Sequence, residues 1–223
     1  MPAQQQAVDV TCYAWDSTMI TKLNRQIALN NYPIFPTRNY DAINDEEIFF
    51  YPKVQSNIIL TSNSKSFKGH INALATEICN LITHLDSEYL IFLGDTKTAW
   101  LYQKNDYKPV AEAQKFFSDN KIGQKFNGAL RVGKDSLITF LRHLSWMTRC
   151  NAALPYIYFT DKGQNIICTI CQYGNLHLSF LNDKTESIIK EIRSASKLRL
   201  LTETTCFNRF GKTSRINGRQ TMA

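Results

Sequence analysis

No apolar run in this chain approaches the roughly 18 residues needed to cross a bilayer, and the most apolar segments, such as Tyr89 to Leu93, are strand-sized. A membrane partner is not expected. Residues 1–10 are Gln-rich and have neither a basic flank nor an apolar stretch, so they are not expected to act as a secretory signal. No Asn-x-Ser/Thr sequon occurs. The six cysteines (Cys12, Cys79, Cys150, Cys168, Cys171, Cys206) are scattered rather than spaced as a disulfide framework, and read as reduced, mostly buried thiols. Together these absences point to the cytoplasm.

Motifs that fix a reaction are absent as well. Cys168-Thr169-Ile170-Cys171 has CxxC spacing but lies in an apparent strand, where side chains three apart face opposite sides and cannot share a metal. Gly211-Lys212-Thr213 resembles the end of a phosphate-binding loop, yet Cys206 stands where that motif needs a glycine. The histidines His70, His84, His143 and His177 show no metal-ligand spacing, and a pairing of His143 with Cys150 requires tertiary contact. Asp41, Asp45, Glu46 and Glu47 cluster, as a solvated loop does. No cofactor, metal ligand or catalytic residue is expected, although an enzyme whose site is assembled only in three dimensions stays open.

What the chain does contain is a core. At 43% hydrophobic and 12% aromatic residues it carries the apolar surface that disordered chains lack. A domain of about 200 residues buries roughly 70% of its unfolded surface. Asp16 opens a helical pattern through Met19, Ile20, Leu23 and Ile27, which Asn30-Asn31 can close, and Tyr32 to Pro36 forces an extended connector. Glu47 to Tyr51 and Asn57 to Thr61 read as strands. His70 to Ser87 carries an unbroken stripe at helical spacing: Ile71, Leu74, Ile78, Leu81, Ile82 and Leu85.

Tyr89 to Leu93 and Thr98 to Tyr102 flank a turn-like Gly94-Asp95-Thr96-Lys97 and predict a hairpin. A short helix follows over 110–117, then a strand over 126–132 and a helix that Asp135 N-caps and that ends at Cys150. Three strands over 156–160, 165–171 and 176–181 are joined by connections too short for a crossover, which predicts an antiparallel meander. Asp183 and Glu186 start a last helix with Ile188, Ile192 and Ala195 inward.

The expected fold is therefore α+β, an antiparallel sheet with helices packed on one face. Residues 1–45 form an N-terminal segment with one short helix and a Pro-rich connector, and 46–201 form the core. Within the core, 46–120 and 121–201 share a strand-helix-strand order, a weak sign of internal duplication. That order is loosely similar to the strand-helix-strand modules of processivity clamps. Residues 202–223 lack periodicity and read as a tail that is flexible in isolation.

Charge is unevenly placed. Of the net +7, +6 lies in 190–223, where Lys190, Arg193, Lys197, Arg199, Arg209, Lys212, Arg215 and Arg219 face only Glu191 and Glu203. A nearly neutral body with a basic arm is laid out to meet a polyanion. Within the meander Tyr156 and Tyr158 share one face, opposite Ile157 and Phe159, and are the rings that would stack on unpaired bases. The composite expectation is a non-enzymatic accessory protein that engages the phosphate backbone of nucleic acid, DNA included, or its machinery, through those eight basic residues. The alternative is an adaptor or structural subunit whose tail docks on an acidic protein surface.

Overall fold

The computed structural model describes residues 20–202, 205–211 and 215–221, and only the backbone of 192–195. Among the described residues, ten strands and five helices follow in the order β1 (Ile20–Leu23), α1 (Arg25–Asn31), β2 (Thr37–Asp41), β3 (Glu46–Phe50), β4 (Ser56–Ser62), α2 (Phe67–His84), β5 (Tyr89–Gly94), α3 (Lys108–Asp119), β6 (Ala129–Gly133), α4 (Lys134–Cys150), β7 (Ile157–Asp161), β8 (Ile166–Ile170), β9 (Leu176–Phe180), α5 (Asp183–Ala195) and β10 (Leu198–Leu200). Eight strands form one sheet in the order β1-β6-β5-β7-β8-β9-β4-β10, with every neighbouring pair antiparallel. β2 and β3 make a separate hairpin. The fold is α+β.

Strand alternation assigns the two faces of the sheet. Leu90 and Phe92 of β5, Leu130 and Val132 of β6, and Cys168 and Ile170 of β8 enter a core shared with α2, α3 and α4. Phe92 meets Phe140 of α4 at 4.6 Å between ring centroids and Phe159 of β7 at 5.0 Å. Each such ring or aliphatic group removed from water contributes roughly 1.5–3 kcal/mol. Ile91, Leu93 and Ala129 project to the other face, where Ala28 of α1 and Phe35 cover them. A strand buried on both sides must be apolar at successive positions, as Tyr89 to Leu93 is.

The meander over β7, β8 and β9 and the long stripe of α2 stand as the sequence predicts. α2 begins three residues earlier, because the Ser66 side chain caps it by accepting from the Gly69 amide. Asp135 does not cap α4; Gly133 occupies that position, and Asp135 sits in the first turn, where its charge favours the helix dipole.

Other expectations are corrected. Ile20–Leu23 is not helical but an edge strand on β6, and the helix starts after Asn24, whose side chain accepts from the amides of Gln26 and Ile27. Asp16 and Met19 lie outside the described residues. Thr98 to Tyr102 is not a strand, because β6 and β7 already occupy both edges of β5; Trp100 turns instead into the core against Phe117 and Phe126. Thr37–Asp41, read as connector, pairs with β3. In α5 the inward positions shift to Thr185 and Ile189, with Ile192 and Ala195 outside the described side chains.

The halves 46–120 and 121–201 are interleaved, since β4 lies between β9 and β10. Residues 20–45 are also part of the body, through β1 on the sheet edge and α1 on its second face.

Candidate functional site

The basic residues that the sequence singles out have different fates. Arg219 donates to the carbonyls of Thr148 at 3.4 Å and Arg149 at 2.6 Å, at the last turn of α4. Arg209 donates to Thr61 Oγ1 and to the Ser62 carbonyl, at 3.3 Å in the latter case, at the end of β4. Lys190 pairs with Glu186 at 2.6 Å across one turn of α5. Lys197, Arg199 and Arg215 are exposed, with Arg199 opposite Thr61 in the β10–β4 register. Lys212 and the Arg193 side chain lie outside the described residues.

The stretch expected to be flexible in isolation is, in its described parts, laid on the body. Ile216 is buried in the main core, the Gln220 amide donates to the Cys150 carbonyl at 2.8 Å, and the buried Asn105 donates to the Gly218 carbonyl at 2.9 Å. Contacts of this kind have no period, so local pattern does not reveal them.

Between this C-terminal stretch, the loop before β7, the turn after β8 and the β2–β3 hairpin lies a cavity of about 740 Å³. Tyr156 stands at its wall, 61% exposed, with the Arg38 guanidinium 5.8 Å from its ring centroid. Arg38 Nε lies 3.2 Å from the buried Asp95 carboxylate, which also accepts from the Tyr156 amide. Burial raises the Asp95 pKa, and the charge of Arg38 opposes that rise. Tyr102, 73% exposed, and Arg219 line the same cavity. Tyr158 faces the same side of the sheet as Tyr156 but is half-buried, edge-on to Tyr51 at 6.2 Å, and burial pushes its hydroxyl up to about 12. Its partner Tyr51 shares a hydrogen bond with Ser179 of β9.

The cavity also reaches a cluster that sequence spacing does not show. Cys171 after β8, His177 on β9 and Cys206 in the C-terminal stretch place one thiol, one imidazole and one thiol with their ligand atoms all within 4.8 Å of one another. His177 Nε2 and Cys206 Sγ are 3.4 Å apart. Burial, reinforced by Cys206, holds the Cys171 thiol up at about 11, and burial lowers the His177 pKa.

Cys168 and Cys171 do face opposite sides, as strand alternation predicts: Cys168 is in the core and Cys171 is half-buried in the turn. The expected lack of metal-ligand spacing holds along the chain but not in three dimensions. Only the proximity of a lone Cys to His177 across the sheet could have shown the cluster, and that requires the strand register.

No protein-family model matches this chain, no curated protein is detectably similar to it, and no solved structure matches its fold.

The remaining residues singled out by sequence have local roles. His70 is buried between Ser62 Oγ and the Gly174 carbonyl, each 2.8 Å away. His143 stacks on Phe116 at 4.4 Å between α4 and α3, separate from the Cys171 cluster. Asp41 and Asp45 sit at the tip of the β2–β3 hairpin, where Asp41 accepts from the Ile43 amide and the Asn44 side chain. Glu47 lies 3.7 Å from Arg38.

Proposed function

We propose that this chain is a non-enzymatic accessory protein that binds nucleic acid. The observation that carries this reading is Tyr156, exposed at the wall of the cavity with Arg38 against its ring and Tyr102 and Arg219 nearby. An exposed aromatic face with a guanidinium against it is the arrangement that stacks an unpaired base. The exposed Lys197, Arg199 and Arg215 add a basic surface that attracts the same polyanion. The cysteines among the described residues are free thiols, which suits a reducing compartment, and on that basis the proposed location is the cytoplasm.

Salt-titrated binding of single-stranded and duplex oligonucleotides tests the reading. The expected result is binding at low salt, weakened steeply by added salt and reduced by Tyr156→Ala. Absence of binding to DNA and RNA at low salt would overturn it.

A protein-adaptor function is favoured by a different observation. The β2–β3 hairpin and the residues beside it expose Tyr40, Ile43, Ile48, Phe49 and Phe50. Exposed apolar groups clustered on one hairpin suit a protein partner. Under this reading the basic C-terminal residues meet an acidic patch on the same partner.

A further inference from the structure

We propose that Cys171 Sγ, His177 Nε2 and Cys206 Sγ form a binding site for Zn²⁺, with the fourth coordination position open to the adjoining cavity. The site is a feature of the fold beyond nucleic-acid binding and stands on its own geometry.

Zinc held by sulfur at about 2.3 Å and nitrogen at about 2.0–2.1 Å sets neighbouring tetrahedral ligand atoms roughly 3.5–3.8 Å apart. The His177 to Cys206 separation of 3.4 Å already fits, and the 4.8 Å limit on the full set leaves only a small side-chain contraction. Two thiolates and an imidazole are soft to borderline donors, which select zinc over magnesium or calcium.

Charge agrees with the half-buried setting of all three residues. Two thiolates and a neutral imidazole balance the +2 of the ion, so the loaded site carries no net charge into a region where an unpaired charge is costly. Binding releases two protons, one from each thiol. Arg149, in the last turn of α4, is buried. Its guanidinium is fixed by the Gln172 carbonyl at 3.1 Å and by Asn208 Oδ1 at 3.0 Å, so it ties the two ligand-bearing segments together.

Hydrogen bonds of the fold hold the ligand-bearing segments before any ion arrives. Cys171 and Asn175 close the turn between β8 and β9, His177 lies in the β9–β4 register, and Leu201 and Arg209 attach the C-terminal stretch to β4 on either side of Cys206. Three protein ligands beside a cavity are the arrangement of a zinc site that keeps a position for water or another small ligand. The ion would also clip the C-terminal stretch to the sheet.

The experiment uses the full chain, reduced and freed of metal with a chelator. Titration with Zn²⁺ is expected to show one ion bound per chain and two protons released. Co²⁺ in its place is expected to give thiolate-to-cobalt charge transfer and the intense visible bands of a tetrahedral site.

Cys171→Ser, His177→Ala and Cys206→Ser should each weaken Zn²⁺ binding by more than the roughly 10–100-fold that follows loss of an outer-shell partner. Cys79→Ser, on α2 and outside the cluster, should leave it unchanged. Should the cluster variants fail to fold, thiol alkylation of the wild-type chain decides: Zn²⁺ should protect Cys171 and Cys206 and no other cysteine. Lack of stoichiometric binding, a cobalt spectrum without thiolate charge transfer, or protection that maps to other cysteines would overturn the proposal.

Discussion

Arg219 donates to the main-chain carbonyl of Arg149 at 2.6 Å, so a cation placed in the basic arm by sequence serves as the cap of a helix 70 residues earlier. The carbonyls at the end of α4 lack intrahelical partners, and a guanidinium there satisfies them and complements the negative end of the helix dipole.

Arg219→Ala is accordingly expected to destabilise the fold by about 1.5–3 kcal/mol, the range for hydrogen bonds to charged groups. Arg215→Ala, at an exposed position, should stay within about 0.5 kcal/mol of wild type. Urea denaturation of both variants compares them, and equal losses would contradict this division of the arm.

If nucleic acid is bound as proposed, Tyr156→Ala should cost about 1–3 kcal/mol in single-strand affinity without changing the salt slope. Arg199→Ala should instead lower the logarithmic salt slope by about 0.7 on single strands or about 0.9 on duplex if it contacts one phosphate. Point substitutions are needed, because deleting 202–223 would also remove Ile216 from the core and Arg219 from α4. Fluorescence anisotropy across a salt series separates the two effects, and a Tyr156→Ala loss that appears only as a reduced slope would argue against stacking.

Stability should fall on mild acidification. Burial lowers the pKa values of His70, His143 and His177, while in the unfolded chain histidine titrates near about 6.5. The stabilisation is complete above about pH 6.5 and is lost as pH falls from there through the lower folded values, because the unfolded state takes up protons first. Asp95, raised by burial, acts in the opposite sense nearer the carboxylate range. Urea midpoints at about pH 7.5 and about pH 5.5 should differ, and His70→Gln should reduce the difference. A flat profile would contradict the assignment.

Gly174 adopts φ +85°, and a Cβ there would lie 2.8 Å from His70 Cδ2. Gly174→Ala therefore combines left-handed backbone with a clash beside the His70 hydrogen bond, and should cost at least the roughly 1–3 kcal/mol of such strain. Calorimetry should show a lower Tm, whereas Gly123→Ala, with open space around it, should show little change.

The meander, the α2 stripe and the division of Tyr156 and Tyr158 from Ile157 and Phe159 were legible because each is written in a local period, two for strands and 3.6 for helices. Periodicity failed at Ile20 to Leu23, where the same apolar spacing suits a helix but the open edge of β6 takes the segment as a strand. It failed again at Thr98 to Tyr102, since no local pattern tells a chain that both edges of β5 are taken.

By itself the sequence determined an α+β chain with an apolar core, an apolar strand over Tyr89 to Leu93, opposed positions for Cys168 and Cys171, and a C-terminal excess of positive charge. Only the tertiary structure decided which of those charges are spent on the fold and which residues meet. Arg209 reaches Thr61 across 148 positions and Cys206 reaches His177 across 29. Such meetings depend on strand register and on the path of the chain around the sheet, which are set by burial of the whole core rather than by any local pattern.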